Sequence, residues 1–262
     1  MIRRTKIICT IGPATTSFEA LKELYAAGMN VVRLNISQAD HATSLKIINW
    51  IKTLTRQIPY PIPILLDTQG PEIRTGVLAN PMQLSTGDVV TLSVRDSEMV
   101  EQKSIQVNYG ELVDVMDVGS TITVDNGLMN FKVLQKKEHQ LTCEVIDGGT
   151  LGSRKHVNLP GVRVNLPAIT AKDERDIQFG LENDVDFIAL SFVRSPDDVA
   201  QLRKLLGKKR QSIKIIAKIE DQQGVINLDE IISASDALMV ARGDLGIECA
   251  FEELPIIQRR AV

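Results

Sequence analysis

Short apolar runs alternate with amphipathic stretches over residues 1–70, and this alternation limits the fold more than any other feature of the sequence. The apolar runs begin at Lys6, Asn30 and Pro63, and helical spacing of apolar residues follows Ser17 and Asp40. Strand–helix steps repeated in this way predict parallel strands that are joined by helices.

Polar or charged residues stand at nearly every predicted strand end. The six predicted strands end at Thr10, Asn35, Asp67, Phe192, Glu220 and Asp244. Such ends are typical of a (β/α)8 barrel, whose functional residues follow the strands. The segment Cys9-Thr-Ile-Gly12-Pro13 is not the G-x-G-x-x-G loop expected after the first strand of a doubly wound sheet. We therefore predict an α/β fold of the (β/α)8 TIM-barrel type, incomplete because six strands are found where eight are needed.

The strand–helix alternation stops between residues 71 and 167. This region has short alternating runs, such as DVVTLSV from Asp88, and hairpin signals such as Asp125-Asn126-Gly127. We expect residues 71–167 to form an inserted, barrel-like all-β lid domain after the third strand. Residues 1–70 would then be the first part of the barrel, and residues 168–262 its truncated second part.

Composition excludes several classes of protein. The formal net charge of −3 gives no basic surface for nucleic acid. Three cysteines without a C-x-x-C spacing argue against a disulfide framework or a zinc site. We see no signal peptide and no apolar run near the roughly 18 residues that span a bilayer. We expect a cytoplasmic protein without nucleic-acid or membrane partners.

Two predicted strands place a lysine and two carboxylates at strand ends. Lys218 and Glu220 close the run IKIIAKIE, and Asp244 follows the run ALMVA. Oxygen ligands of this kind suit Mg²⁺ or Mn²⁺, and the lysine would add an anion contact. From these residues alone, a salt-bridged pair of loops is an equally good interpretation.

Seven stretches together resemble the pyruvate kinase family over essentially the whole chain. They are KIICTIGPAT from Lys6, GMNVVRLNIS from Gly28, LLDTQGPEIRTG from Leu65, VDNGL from Val124, LGSRKHVNLPG from Leu151, IIAKIED from Ile215 and SDALMVARGDLGIE from Ser235. The resemblance implies phosphoryl transfer from phosphoenolpyruvate to ADP in glycolysis, giving pyruvate and ATP. It also implies the cofactors Mg²⁺ (or Mn²⁺) and K⁺, and a homotetramer for the intact enzyme.

The resemblance assigns catalytic and metal-binding roles to residues of this sequence. Lys218 is similar to the lysine beside the transferring phosphoryl group, and Arg33 is similar to a phosphoryl contact. Glu220 and Asp244 match the carboxylates that hold Mg²⁺. The residues that match a K⁺ site are Asn35, Ser37, Asp67 and Thr68, and Glu72 is of the type found in K⁺-dependent members.

The resemblance also assigns substrate and nucleotide contacts. The backbone N–H groups of Gly243 and Asp244 match a cradle for the substrate carboxylate, and Phe192 matches a wall of the pocket. Arg33 and Lys218 are also expected to contact substrate. The residues that match nucleotide contacts are Asn35, Arg74 and Lys155.

Several positions depart from the family pattern. Gln38 replaces a histidine expected near the nucleotide, Gln69 stands where lysine is typical, and Asn126 replaces an aspartate on the lid. Lys155-His156 alters the usual basic loop. The ATQM-like motif of the seventh strand is not found, so we expect a fragment or a truncated product with little or no activity by itself.

Two other functions remain open at this stage. A Mg²⁺-dependent aldolase or mutase of the phosphoenolpyruvate/pyruvate barrel class would also place carboxylates at strand ends, but it would lack the β insertion. A catalytically silent homologue that binds a ligand or a partner is favoured mildly by Gln38, Gln69 and Asn126.

Overall fold

The computed structural model describes residues 4–94, 103–162, 164–209 and 211–262. The strands are β1 (Ile8–Thr10), β2 (Val31–Asn35), β3 (Ile64–Asp67), β4 (Met82–Leu84), β5 (Val89–Val94), β6 (Ser104–Val107), β7 (Thr121–Val124), β8 (Met129–Lys137), β9 (Gln140–Asp147), β10 (Gly149–Leu151), β11 (Val157–Asn158), β12 (Phe187–Leu190), β13 (Lys214–Ile219) and β14 (Ala237–Val240).

The α-helices are α1 (Phe18–Ala27), α2 (His41–Thr55), α3 (Leu112–Val115), α4 (Ala171–Glu182), α5 (Pro196–Leu206), α6 (Gln222–Ile226), α7 (Leu228–Ala234), α8 (Arg242–Glu248) and α9 (Leu254–Ala261). The chain divides into two compact units. The first unit contains Met1–Pro71, Pro167–Ile219 and Gly224–Val240, and the second contains Glu72–Leu166, Glu220–Gln223 and Ala241–Val262.

A six-stranded parallel sheet forms the centre of the first unit. Its strand order is β1-β2-β3-β12-β13-β14, and every neighbouring pair is parallel. Each strand therefore pairs with the sheet strand that precedes it in the chain, as in a (β/α)8 barrel. A doubly wound sheet would instead have its first strand inside the sheet. The predicted fold class, an incomplete α/β barrel, is confirmed.

Capping residues set the limits of the helices that cover this sheet. Ser17 accepts a hydrogen bond from Ala20 N at 3.1 Å, and Asp40 accepts one from Thr43 N at 2.6 Å. These side chains satisfy backbone N–H groups that have no partner within the helix. Gly28 ends α1 with a φ of 112°, a left-handed conformation that glycine adopts without strain.

Three strands of the first unit end earlier than the sequence predicts, and β13 does so by one residue, at Ile219. Strand β12 stops at Leu190, because Phe192 has a φ of 53° and a strand cannot continue through such a residue. Strand β14 stops at Val240, and a helix begins at Arg242. Asp244 therefore lies in the first turn of α8.

A second six-stranded sheet, with the order β11-β7-β8-β9-β5-β6, forms the main part of the second unit. All its pairs are antiparallel except β5–β6. Alternate residues of β8 and β9 point inward, and the core includes Phe131, Leu141 and Val145, all with no exposed surface. The predicted hairpin turn joins β7 to β8, where Asp125 and Asn126 have φ values of 55° and 57°.

The cysteines Cys9, Cys143 and Cys249 are free thiols. Cys143 lies in the core of the second unit, and burial raises the pKa of its thiol to about 12. Across the described ranges, every helix is too short or too polar to cross a bilayer.

Candidate functional site

Asp67 is the centre of a polar cluster at the carboxyl ends of β2, β3 and β13. It is the last residue of β3 and has no exposed surface. Arg33 approaches its Oδ2 with Nε at 2.6 Å and Nη2 at 2.5 Å. Lys218 Nζ lies 3.2 Å from Oδ1. The structure therefore brings together Arg33, Asp67 and Lys218, which the sequence predicts to be functional.

Further hydrogen bonds fix both cations of this cluster. Arg33 Nη1 donates to Thr10 Oγ1 at 2.7 Å, and Lys218 Nζ donates to Ser191 Oγ at 2.7 Å. Two positive charges face one carboxylate, and the Lys218 side chain is only 10% exposed. Because charges interact strongly where water is scarce, two cations fixed at one place can bind an anion. Ser191 was not identified from the sequence, since a serine on an apolar strand gives no signal of its own.

The predicted K⁺ ligands lie on two adjacent strand ends. Asn35 and Asp67 are register partners in the β2–β3 ladder. Asn35 Oδ1 accepts from Ser37 Oγ at 2.7 Å, and Thr68 Oγ1 donates to the carbonyl oxygen of Ala189 at 3.2 Å. Asp67 Oδ1 is buried and accepts no hydrogen bond, although Lys218 Nζ is near it. One carboxylate and three neutral oxygens on adjacent strand ends are a donor set that is compatible with K⁺.

The loop after β3 is held in a conformation that only glycine adopts without strain. Gly70 has a φ of +76°, and a Cβ atom there would lie 2.8 Å from Ser191 Cβ and 2.9 Å from Phe192 Cδ2. Its backbone N–H donates to Asp173 Oδ1 at 3.0 Å. The loop that carries Thr68 therefore lies directly against the β12 end, where Ser191 contacts Lys218.

We expect Gly70→Ala to lower the free energy of unfolding by about 2 kcal/mol, because a new methyl group overlaps two neighbours in a strained backbone. Urea denaturation measures this difference. Gly12→Ala is the matched control, since a Cβ atom at Gly12 would meet nothing within 4 Å beyond its chain neighbours, and the φ of Gly12 is −134°. An equal effect of the two substitutions would contradict the prediction.

The remaining predicted residues belong to the second unit. Glu220 is 2% exposed, and Gly243 and Asp244 lie in the first turn of α8. Arg74 donates from Nε to Glu72 Oε2 at 2.7 Å. The structure pairs Lys155 Nζ with Asp125 Oδ2 at 2.8 Å.

His156 and Glu248 are two half-buried titratable residues of this unit. The sequence indicated His156 only as a departure from the family pattern, and it did not indicate Glu248. Burial lowers the pKa of His156, while Glu72 and Asp244 act in the opposite direction. Burial raises the pKa of Glu248, and a hydrogen bond from Asn158 at 2.7 Å opposes that change. Several charged groups of the second unit are therefore close enough to influence one another.

Comparison with known proteins places the whole chain in one family. The family model described as pyruvate kinase, barrel domain, matches residues 2–262. A pyruvate kinase of Bacillus licheniformis is 46% identical over 265 residues, and one of Staphylococcus saprophyticus is 46% identical over 262 residues. The plastidial pyruvate kinase 2 of Arabidopsis thaliana is 44% identical over 261 residues.

These alignments cover 98–100% of this chain but only 44–45% of each relative. The chain therefore spans a little under half the length of the curated relatives that it matches. The match is continuous across both units, and it includes the strand ends that carry Arg33, Asp67 and Lys218. The chain belongs to the pyruvate kinase family.

Proposed function

We propose that the protein acts in phosphoryl transfer from phosphoenolpyruvate to ADP, the pyruvate kinase reaction of glycolysis. One observation carries this proposal beyond family membership: Arg33 and Lys218 converge on a single buried carboxylate at the carboxyl ends of parallel strands. Barrel enzymes have their active sites at this end of the sheet. Two cations fixed at this end of the sheet suit the phosphoryl group of the substrate.

In this proposal Lys218 and Arg33 are the catalytic residues. The ammonium of Lys218 is fixed by Ser191 and lies beside Asp67, so it needs little reorganisation when charge develops on the transferring phosphoryl group. The Arg33 guanidinium, fixed by Thr10 and Asp67, orients the phosphoryl oxygens. Phosphoryl transfer depends mainly on such positioning and charge stabilisation.

We assign the divalent ion, Mg²⁺ or Mn²⁺, to Glu220 and Asp244. When bound, it neutralises charge on the phosphoryl oxygens. Among the residues that the structure describes, no three carboxylate, imidazole or thiol side chains form a metal cluster. Two carboxylates are a sufficient protein contribution for Mg²⁺, which keeps several waters and binds substrate oxygens.

We assign K⁺ to Asn35, Ser37, Asp67 and Thr68. The support is the set of oxygens, one carboxylate and three neutral groups, and the register pairing of Asn35 with Asp67. The nucleotide would contact Asn35, Arg74 and Lys155. In the structure Arg74 binds Glu72, and Lys155 binds Asp125. When a nucleotide binds, both cations would leave these carboxylates and contact the nucleotide phosphates. The remaining proposed substrate contacts are Phe192, Gly243 and Asp244.

We also propose that the β-rich insertion acts as a lid and that the intact enzyme is a cytoplasmic homotetramer. The two bacterial relatives are consistent with a cytoplasmic enzyme, whereas the Arabidopsis relative is plastidial by name.

Calorimetric titration with phosphoenolpyruvate tests the proposed function. We expect phosphoenolpyruvate binding to require Mg²⁺, and we expect Glu220→Gln to weaken this binding at least about tenfold. Even residues that contact a metal only through its ligands contribute about tenfold to metal affinity. Glu230→Gln on α7 is the control, because Glu230 is exposed. Binding that is indifferent to Mg²⁺ would contradict the proposal, and weak metal-dependent binding of ADP would favour a catalytically silent homologue.

A further inference from the structure

We propose that the first two turns of α4 form a clamp that sets the selectivity of the K⁺ site. The clamp consists of Lys172, Asp173 and Asp176, which bind the two loops that follow β2 and β3. These loops carry the assigned K⁺ ligands Ser37 and Thr68, and they begin directly after the other two, Asn35 and Asp67, which end β2 and β3. None of the clamp residues is a ligand itself. The inference rests on the K⁺ site of the proposed function.

The first loop is held by Lys172 and Asp176. Lys172 Nζ donates to the carbonyl oxygen of Ile36 at 3.2 Å and to Asp176 Oδ2 at 2.7 Å. Ile36 lies between the two ligands Asn35 and Ser37 in the sequence. One ammonium therefore fixes the backbone between these ligands.

The far end of the same loop is held by the other oxygen of Asp176. His41, the first residue of α2, places its Nε2 2.7 Å from Asp176 Oδ1. The His41 ring also stacks on Phe179 of α4, with ring centroids 4.4 Å apart and an interplanar angle of 13°. The loop is thus bound to α4 at Ile36 and again at His41.

The second loop is held by Asp173, which has no exposed surface. Its Oδ1 accepts the backbone N–H of Gly70 at 3.0 Å, two residues after the ligand Thr68. Its Oδ2 accepts from Thr170 N at 2.9 Å and from Thr170 Oγ1 at 2.6 Å. The capping residues of α4 therefore also fix the loop after β3.

One helix consequently fixes the relative position of both ligand loops. Hydrogen bonds to buried carboxylates are hard to break, because few waters can replace them. Asp173 and Asp176 are 0% and 3% exposed. Selectivity between K⁺ and the smaller Na⁺ depends on the size of the site and on the number and field strength of its oxygens. A clamp that prevents the loops from closing around a smaller ion would favour K⁺.

The thermal unfolding midpoint of the protein as a function of KCl or NaCl tests this inference, with ionic strength kept constant by choline chloride. An ion that binds the folded state raises the midpoint, so the half-saturating concentration can be read without any activity. For Lys172→Met and Asp176→Asn we expect the half-saturating K⁺ concentration to rise about tenfold. We also expect both variants to lose much of the preference for K⁺ over Na⁺, whereas Lys172→Arg should retain most of this preference.

Lys209→Met is the matched control. Lys209 Nζ also binds one carbonyl oxygen and one carboxylate, Leu181 O and Asp184 Oδ1, both at 2.6 Å, but at the other end of α4. Leu181 lies nine residues after Lys172, about 14 Å along the helix. A loss of general stability would therefore be shared by both methionine variants, whereas a loss of K⁺ selectivity should be confined to Lys172→Met.

The outcomes separate the clamp from the K⁺ site. Suppose that the unmodified protein shows a K⁺-selective rise in the unfolding midpoint and that Lys172→Met and Asp176→Asn keep this rise unchanged. The clamp proposal is then contradicted, and the K⁺ site is still supported. If Lys209→Met loses the selectivity as fully as Lys172→Met, the clamp is also wrong. If the unmodified protein shows no K⁺-selective rise, the K⁺ site of the proposed function is wrong, and the clamp falls with it.

Discussion

Replacing Asp67 with alanine is expected to lower the free energy of unfolding by about 4 kcal/mol, because it removes the buried carboxylate that two cations contact. Asp67 is completely buried, and Arg33 and Lys218 both depend on it. Thr10 and Ser191 would still bind these cations, but neither supplies a negative charge. Urea denaturation followed by circular dichroism measures the loss.

Asp236→Ala is the control for this substitution. Asp236 also binds one arginine and one lysine, Arg203 at 3.3 Å and Lys214 at 3.4 Å, but its side chain is 23% exposed. Because water screens such pairs, we expect a loss of only about 1 kcal/mol. If Asp67→Ala cost no more than Asp236→Ala, the cluster at Asp67 would not be the buried charge centre described above.

Replacing Lys218 with methionine is expected to reduce phosphoryl transfer to ADP about 1,000-fold, the loss typical when one preorganised charge-stabilising group is removed. Asp67 keeps Arg33 as a partner, so the fold should survive the substitution. The measurement is the ratio of pyruvate formation by the variant to that by the unmodified protein, through coupling to lactate dehydrogenase. The protein concentration is set so that the unmodified protein gives a rate well above the blank.

Lys214→Met controls for the loss of a lysine from the same strand. Lys214 is the first residue of β13 and is 54% exposed, four residues and about 13 Å before Lys218. Its substitution should leave pyruvate formation within about twofold, as for most exposed positions. A Lys218→Met variant that retains a rate similar to that of Lys214→Met would exclude Lys218 from catalysis.

Features with a local physical cause were predictable from the sequence. Ser17, Asp40 and Thr170 are helix caps in the structure, because a short polar side chain can satisfy helix N–H groups a few residues away. The run ALMVA was predicted to be a strand, and β14 covers most of it. The parallel sheet follows from the repetition of such elements.

Features that depend on distant residues were not predictable in the same way. His41 binds Asp176 across 135 positions of the chain, and Gly70 binds Asp173 across 103. Neither pair has a local sequence signal, since Asp173 and Asp176 also suit an ordinary surface helix and Gly70 suits an ordinary turn. Short helices were also missed: α3 has four residues, which is about one turn and too few to show helical periodicity.

The ladder between β3 and β12 has a consequence for how the chain folds. Ile64 binds Asp186 across 122 positions, and the intervening chain includes the whole β insertion. Closing so long a loop is slow while that segment remains a random coil, and its entropic cost increases by about 0.6 kcal/mol with each doubling of length. Two strand pairs of the insertion, β7–β8 and β8–β9, are hairpins of neighbouring strands, which form early. If the insertion collapses first, the loop that must close between Ile64 and Asp186 becomes effectively shorter. The rate at which the parallel sheet assembles should then depend on two hairpins of the insertion, which contribute no strand to that sheet.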